Sequence, residues 1–173
     1  MYIGIESFDF PEDSEVITPA LTFGTTLGCI IKNNLVPVFV DVEPLTYCID
    51  VSQIEEMITD KTVAILAPDL LGNICDWPHI REIADRHGLK VIQDSADTLG
   101  ATINGVSAGT YSDMSITSFY GSHIINCAGN GGMVCFNDKK KYIEAKLLRS
   151  WGRSSSLFDE KSEKIENRFN IKL

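Results

Sequence analysis

The chain has 173 residues, 44% of them apolar, which suits one ordinary domain with a filled core. Its formal net charge of -9 excludes a nucleic-acid surface, because no basic stripe is present to neutralise phosphates over any distance. No apolar run approaches the roughly 20 residues of a membrane-spanning helix, so no membrane partner is expected.

In chain order, "EVITPA" (15–20) predicts a strand and Thr22 to Asn34 a helix. "VPVFVDV" (36–42) is a strand, "SQIEEMI" (52–58) a short helix opening after Asp50, and "TVAILAPDL" (62–70) a continuous apolar strand. "DWPHIREIADRHG" (76–88) carries every mark of a helix: Asp76 as cap, Pro78 in the first turn, Ile80, Ile83 and Ala84 as apolar stripe, Gly88 as stop. "LKVIQD" (89–94), "DMSITSFY" (113–120) and "GGMVCFN" (131–137) are further strands, and "KKKYIEAKLLRSWG" (139–152) closes as a helix with a solvated first turn. Strands apolar on both faces, alternating with helices, predict an α/β fold: a mainly parallel sheet flanked by helices.

Five cysteines (Cys29, Cys48, Cys75, Cys127, Cys135) form no CxxC or metal-ligand pair, and most lie in apolar runs. They read as buried thiols of a reducing, cytoplasmic compartment, with no metal site and no signal peptide expected.

Ligands of open α/β sheets sit beyond the carboxyl ends of the strands. Asp94 leaves a buried strand there, where an unpaired charge is costly and calls for a cationic or donor partner. A protonated pyridine nitrogen would suit it. Phe23 could stack on a planar ring, although a Phe after a strand is more often core. Ser118 could donate to a phosphate, although a strand serine is usually satisfied by backbone. Asp69 and Asn73 flank "LLG" at another strand end, and His79 and His87 read as surface or packing residues.

Taken together, "EVITPALTF", "VPVFVDVEPLTYCID", "LLGNICDWPHIREIADRHGLKVIQDSADTLGA", "SAGTYSDMSITSFY" and "GNGGMVCFND" resemble the DegT/StrS-type sugar aminotransferases over about residues 14–153. The resemblance implies the central part of a fold-type I large domain using pyridoxal 5'-phosphate (PLP) or pyridoxamine 5'-phosphate on a nucleotide-linked keto sugar. By that resemblance Asp94 pairs the pyridine nitrogen, Phe23 stacks on the ring and Ser118 binds the phosphate. Asp97 stands where the family carries Gln or His near the ring hydroxyl.

His123 stands where the family has its Schiff-base lysine, and Lys139, Lys140 and Lys141 lie beyond the next strand. The same exchange marks the 4-keto-6-deoxy-sugar 3-dehydratases, to which "RSWGR" (149–153) and "LGN" (71–73) are also similar. In that branch a base that does not hold the cofactor removes a proton and the C3 hydroxyl leaves; a neutral imidazole suits the task near pH 7. The resemblance therefore implies a catalytic His123, a place in deoxysugar or surface-polysaccharide (lipopolysaccharide) biosynthesis, and a homodimer.

The pattern departs from the family in "GNGG" for the common "GEGG" and in one extra residue between His123 and Gly132. The family's phosphate-cradling Gly-Thr turn lies upstream of "EVI", and Gly24-Thr25-Thr26 does not replace it. Residues 1–153 are thus expected to be an incomplete PLP-binding large domain, which alone binds the cofactor weakly. Residues 154–173 read as a polar surface loop or the start of a continuing segment. The alternatives are a sugar aminotransferase relative and a non-catalytic truncated module; a generic Rossmann binder is disfavoured because no GxGxxG follows the first strand.

Overall fold

The structure, a computed structural model, describes residues 1–123 and 125–157. In chain order the elements are α1 (Tyr2–Glu6), β1 (Glu15–Pro19), α2 (Gly24–Lys32), β2 (Val36–Val40), β3 (Thr62–Pro68), α3 (Trp77–His87), β4 (Lys90–Asp94), β5 (Thr102–Ile103), β6 (Val106–Ser107), β7 (Met114–Ser118), β8 (Gly132–Phe136) and α4 (Lys139–Arg149). Six strands form one sheet in the order β2-β1-β3-β4-β7-β8. All pairings are parallel except β7 with β8. The predicted α/β architecture is borne out.

The sheet is covered on both faces because its central strands alternate between two cores. Ile17, Ile65 and Val91 pack with Trp77, Ile80 and Ile83 of α3. Val16, Leu66 and Ile92 point the other way, onto Ile5 of α1 and Ile30 of α2. One residue of register would exchange the two faces, so the continuous apolar runs fix the strands as fully buried ones. Gly4 lets α1 approach the sheet: a Cβ there would overlap Met114 Sδ. The edge strands β2 and β8 are more exposed than the centre.

The helix read most completely from sequence is also the best formed. Asp76 accepts from the His79 amide, Pro78 lies in the first turn, and Gly88 ends α3 at φ 68°, a left-handed conformation that costs glycine nothing. Asp138 caps α4 in the same way, through the Lys140 amide. Lys141 is less solvated than expected, its Nζ donating to the Ser7 carbonyl 2.7 Å away and tying α4 to α1.

Three expectations are corrected. The helix expected from Thr22 to Asn34 is shorter, with extended backbone at Phe23 and a break after Lys32. The segment 52–58 is two 3-10 turns (Val51–Gln53 and Glu55–Met57) rather than one helix, although Val51, Ile54, Met57 and Ile58 turn one apolar side to the core. Cys29, Cys48 and Cys75 are buried, but Cys127 and Cys135 are exposed, because one lies in the loop before the edge strand and the other on it. Of the polar segment 154–173, only Ser154–Leu157, a 3-10 turn, falls among the described residues.

Candidate functional site

The candidate residues gather at the carboxyl ends of β1, β4 and β7, as a parallel sheet requires of residues that follow its strands. Asp94 is the last residue of β4 and is buried. Its Oδ1 accepts from the Ala96 amide at 3.1 Å and its Oδ2 from the Thr26 hydroxyl at 3.1 Å. Burial holds the Asp94 carboxyl above its usual pKa; the two donors pull it down, and the neighbouring Asp97 charge adds to the rise. Asp94 is therefore a carboxylate with few partners for its charge, in a place where a cation would be welcome.

Asp97 is more exposed, and its Oδ2 accepts from the Leu71 amide at 3.2 Å. Leu71 itself adopts φ 57°, followed by Gly72 at φ 85°. A left-handed leucine costs on the order of 1–2 kcal/mol. The strained "LGN" turn thus delivers an N–H to the site.

Ser118 ends β7, half-buried, and its Oγ accepts from the Tyr120 amide at 3.2 Å. His123 follows in the loop between β7 and β8. Its Nδ1 lies 3.2 Å from the Ser118 carbonyl, its Nε2 4.0 Å from Asp97 Oδ1, and its ring meets Tyr120 edge to face with centroids 5.9 Å apart. A carbonyl can only accept, so the neutral imidazole carries its hydrogen on Nδ1 and presents Nε2 as a bare lone pair. Phe23 precedes the first turn of α2 with 72% of its surface exposed. A large ring so placed is no core residue, and its apolar surface is open. None of the five residues lines the cavities of about 240 and 390 Å³ that lie elsewhere on the molecule.

Geometry thus brings His123, Asp97 and Ser118 into direct succession and sets Asp94 beside them in the chain. The roles of two further residues were not read from sequence. Thr26 was read only as part of a misplaced Gly-Thr turn, yet its hydroxyl serves Asp94. Asp69 is a structural hub: buried, it accepts from the Cys75 amide, Trp77 Nε1, Gln93 Nε2 and the Thr98 hydroxyl. The signal for Asp69 was a carboxylate leaving an apolar strand, the same signal that singled out Asp94.

A pyridine-type cofactor fits these residues: a buried, under-partnered carboxylate, an exposed aromatic face and a strand-end hydroxyl. Thr22 Oγ1, one residue before Phe23, is buried without a partner and adds an unused polar atom on the same segment.

Comparison with known proteins bears on the family and the fold. The chain is 45% identical over 141 residues to the lipopolysaccharide biosynthesis protein RfbH of Salmonella typhimurium, covering 80% of the chain and 32% of that protein. It is 40% identical over 139 residues to the dTDP-4-dehydro-2,6-dideoxy-D-glucose 3-dehydratase of Saccharopolyspora spinosa, covering 80% of the chain and 30% of the relative. The GDP-perosamine synthase of Caulobacter vibrioides is 36% identical, covering 88% of the chain and 41% of the relative. Among solved structures, the aminotransferase from Psychrobacter cryohalolentis superposes with a TM-score of 0.87 at 31% identity, covering 95% of the chain and 42% of that structure. The Bacillus subtilis protein ntda, solved with bound cofactor PMP, superposes with a TM-score of 0.83 at 30% identity, covering 95% and 36%. The chain therefore spans about a third to two fifths of these proteins, and its sheet is the expected fold-type I arrangement. Residues 1–173 match the DegT/DnrJ/EryC1/StrS aminotransferase family throughout, and the chain belongs to that family.

Proposed function

We propose that the protein is a PLP/pyridoxamine-phosphate-dependent enzyme acting on a nucleotide-linked 4-keto-6-deoxy sugar, and that its reaction is 3-dehydration. The observation that carries the reading is His123. It occupies the loop after β7 with Nε2 4.0 Å from Asp97 Oδ1, while no lysine falls in the described loops that directly follow β1, β3, β4 or β7. The 3-dehydratase among its relatives supports the same reading.

When bound, the cofactor supplies an electron sink that delocalises the pair left by proton removal. Asp94 would pair its ring nitrogen, Phe23 would cover its face and Ser118 would donate to its phosphate. His123 takes the proton at Nε2, because Nδ1 is committed to the Ser118 carbonyl, and returns it to the departing hydroxyl. Asp97 Oδ1 faces the nitrogen that gains that proton. A lysine at position 123 could bond covalently to the aldehyde form of the cofactor, which an imidazole does not.

The test uses the intact protein. His123→Lys should bind PLP in a form that borohydride fixes to the chain, and should lose dehydration. His123→Asn should bind the cofactor without fixation and lose about 100-fold or more in rate, as removal of a general base does. Unchanged turnover in either variant would remove His123 from the mechanism. The alternative is amino transfer, favoured by the perosamine synthase relative; an amino sugar rather than a 3-deoxy sugar as product would establish it. Assembly as a homodimer and a cytoplasmic setting belong to the same proposal, as does the reading of 1–153 as part of a larger cofactor domain.

A further inference from the structure

Two exposed Asn-Gly pairs, Asn104-Gly105 and Asn130-Gly131, are treated differently by the fold. An asparagine followed by glycine can lose its side-chain amide without an enzyme, and asparagine is a thermolabile residue for such reasons. The glycine nitrogen, unhindered by a Cβ, closes a ring onto the asparagine Cγ. Closure requires an unheld glycine N–H, a free side-chain amide and rotation about the asparagine Cα–C bond.

Asn104-Gly105 is the two-residue turn between β5 and β6. Both residues are left-handed, at φ 52° and 81°, and the Ile103–Val106 pair clamps the turn. Rotation there would open the hairpin.

Asn130-Gly131 precedes β8 in the loop that carries His123, and neither residue is left-handed. The Phe119 amide donates to the Gly131 carbonyl at 2.8 Å, so a continued ladder would return the Gly131 amide to the Phe119 carbonyl. That carbonyl accepts from the Cys127 amide instead, at 3.3 Å. Among the described residues nothing accepts from the Gly131 amide and nothing pairs with the Asn130 side chain. The side chains of Asn33, Asn34, Asn73, Asn126 and Asn137, by contrast, are all held. Glycine is also required at 131, because a Cβ there would lie 2.7 Å from Cys127 Sγ. The packing that calls for glycine thus keeps the reactive pair together.

We propose that Asn130 is a deamidation site. The Gly131 nitrogen gives up its proton and attacks Asn130 Cγ; the N–Cγ bond forms, the Cγ–Nδ2 bond breaks, and the amide nitrogen leaves with its electron pair and that proton as ammonia. Water then opens the cyclic imide. Addition at Cγ leaves aspartate; addition at the backbone carbonyl carbon leaves isoaspartate, with the chain running through the side chain. No oxidant or reductant takes part.

Both products place a carboxylate in a loop, 119–131, that otherwise holds no acidic residue, lysine or arginine. The isoaspartate form also adds one carbon to the backbone just before Gly131, whose carbonyl holds Phe119 next to Ser118, the anchor of the His123 ring. The modification therefore alters charge and backbone beside the candidate base.

The test is peptide mapping of the purified protein kept at physiological temperature in mildly alkaline buffer, both folded and unfolded in guanidinium. Mass spectrometry reads the amide-to-acid exchange, and electron-transfer fragmentation separates aspartate from isoaspartate. In the folded chain Asn130 should convert several-fold faster than Asn104, giving both products. In guanidinium, where neither turn persists, the two should convert at similar rates. Asn130→Gln, whose longer side chain closes its ring far more slowly, should leave only the Asn104 signal. Asn104 converting as fast as Asn130 in the folded chain would overturn the proposal, as would a folded-state Asn130 still intact when the guanidinium sample has converted.

Discussion

Thr26 and Asp94 lie 68 positions apart, and the Thr26 hydroxyl donates to Asp94 Oδ2 across 3.1 Å. Thr26 sits in the first turn of α2 and Asp94 at the tip of β4, two strands away from β1 in the sheet. The bond supplies one of the two donors that oppose the desolvation of this carboxylate. Thr26→Val should therefore raise the Asp94 pKa further and weaken cofactor binding at neutral pH several-fold, while Thr26→Ser should restore both. Carbon-13 NMR of the Asp94 carboxyl and cofactor titration of the intact protein read the two effects separately. An unmoved carboxyl resonance titration would remove Thr26 from this role.

Asp94 itself should cost the cofactor-free fold stability. Its folded pKa is raised, so the native state holds the proton more tightly than the unfolded chain does. Its contribution is fully present below the unfolded carboxylate pKa of about 4 and is lost as pH rises through the folded value. Asp94→Asn should stabilise the 173-residue chain at pH 7 by about 1 kcal/mol, the usual gain when a functional charge is removed, and abolish cofactor binding in the intact protein. Urea denaturation at pH 7 checks the first, and a loss of stability would contradict it.

Asp113 should behave with the opposite sign. Burial pushes its carboxyl up, but the Val91 amide, Lys90 and Arg81 together outweigh burial and hold it below the usual range. Its stabilisation is present above the unfolded pKa and lost as pH falls through the depressed folded value. Asp113→Asn should destabilise the chain at pH 7 and flatten the stability profile below about pH 4. Thermal melts across that range would read both.

Asp69 is the costliest carboxylate to remove. It satisfies four donors in the core, so Asp69→Ala strands a buried indole N–H, an amide, a side-chain amide and a hydroxyl. The loss should be about 3 kcal/mol or more, given roughly 1–3 kcal/mol per buried unsatisfied group. Phe23→Ala, by contrast, should leave urea unfolding within about 0.5 kcal/mol of the parent, because that ring is mostly exposed. It should weaken only the cofactor titration of the intact protein.

Local patterns carried most of the fold. α3 was legible because its cap, first-turn proline, stripe and C-terminal glycine all lie within one stretch. The strands were legible because burial on both faces makes them apolar throughout. The β5–β6 hairpin escaped notice, although Asn104-Gly105, both at positive φ, is a strong turn signal. α1 escaped because it has no side-chain cap and only five residues. At the site, His123, Asp97 and Ser118 were singled out by the family resemblance, which sets each in register with a family motif. The Thr26–Asp94 bond could not, because nothing local encodes a meeting across the sheet.

The antiparallel return of β8 has a consequence for how the loop can vary. Phe119 donates to the Gly131 carbonyl at 2.8 Å, and the Cys127 amide donates back to the Phe119 carbonyl at 3.3 Å. The loop is therefore closed at its neck, and the His123 ring is anchored on the near side of that neck, at Ser118. Residues added between Cys127 and Gly131 lie outside the turn that the Phe119–Cys127 bond closes around His123, and their closure cost grows only logarithmically. Chain length between Cys127 and Gly131 is thereby separated from the turn that carries the imidazole.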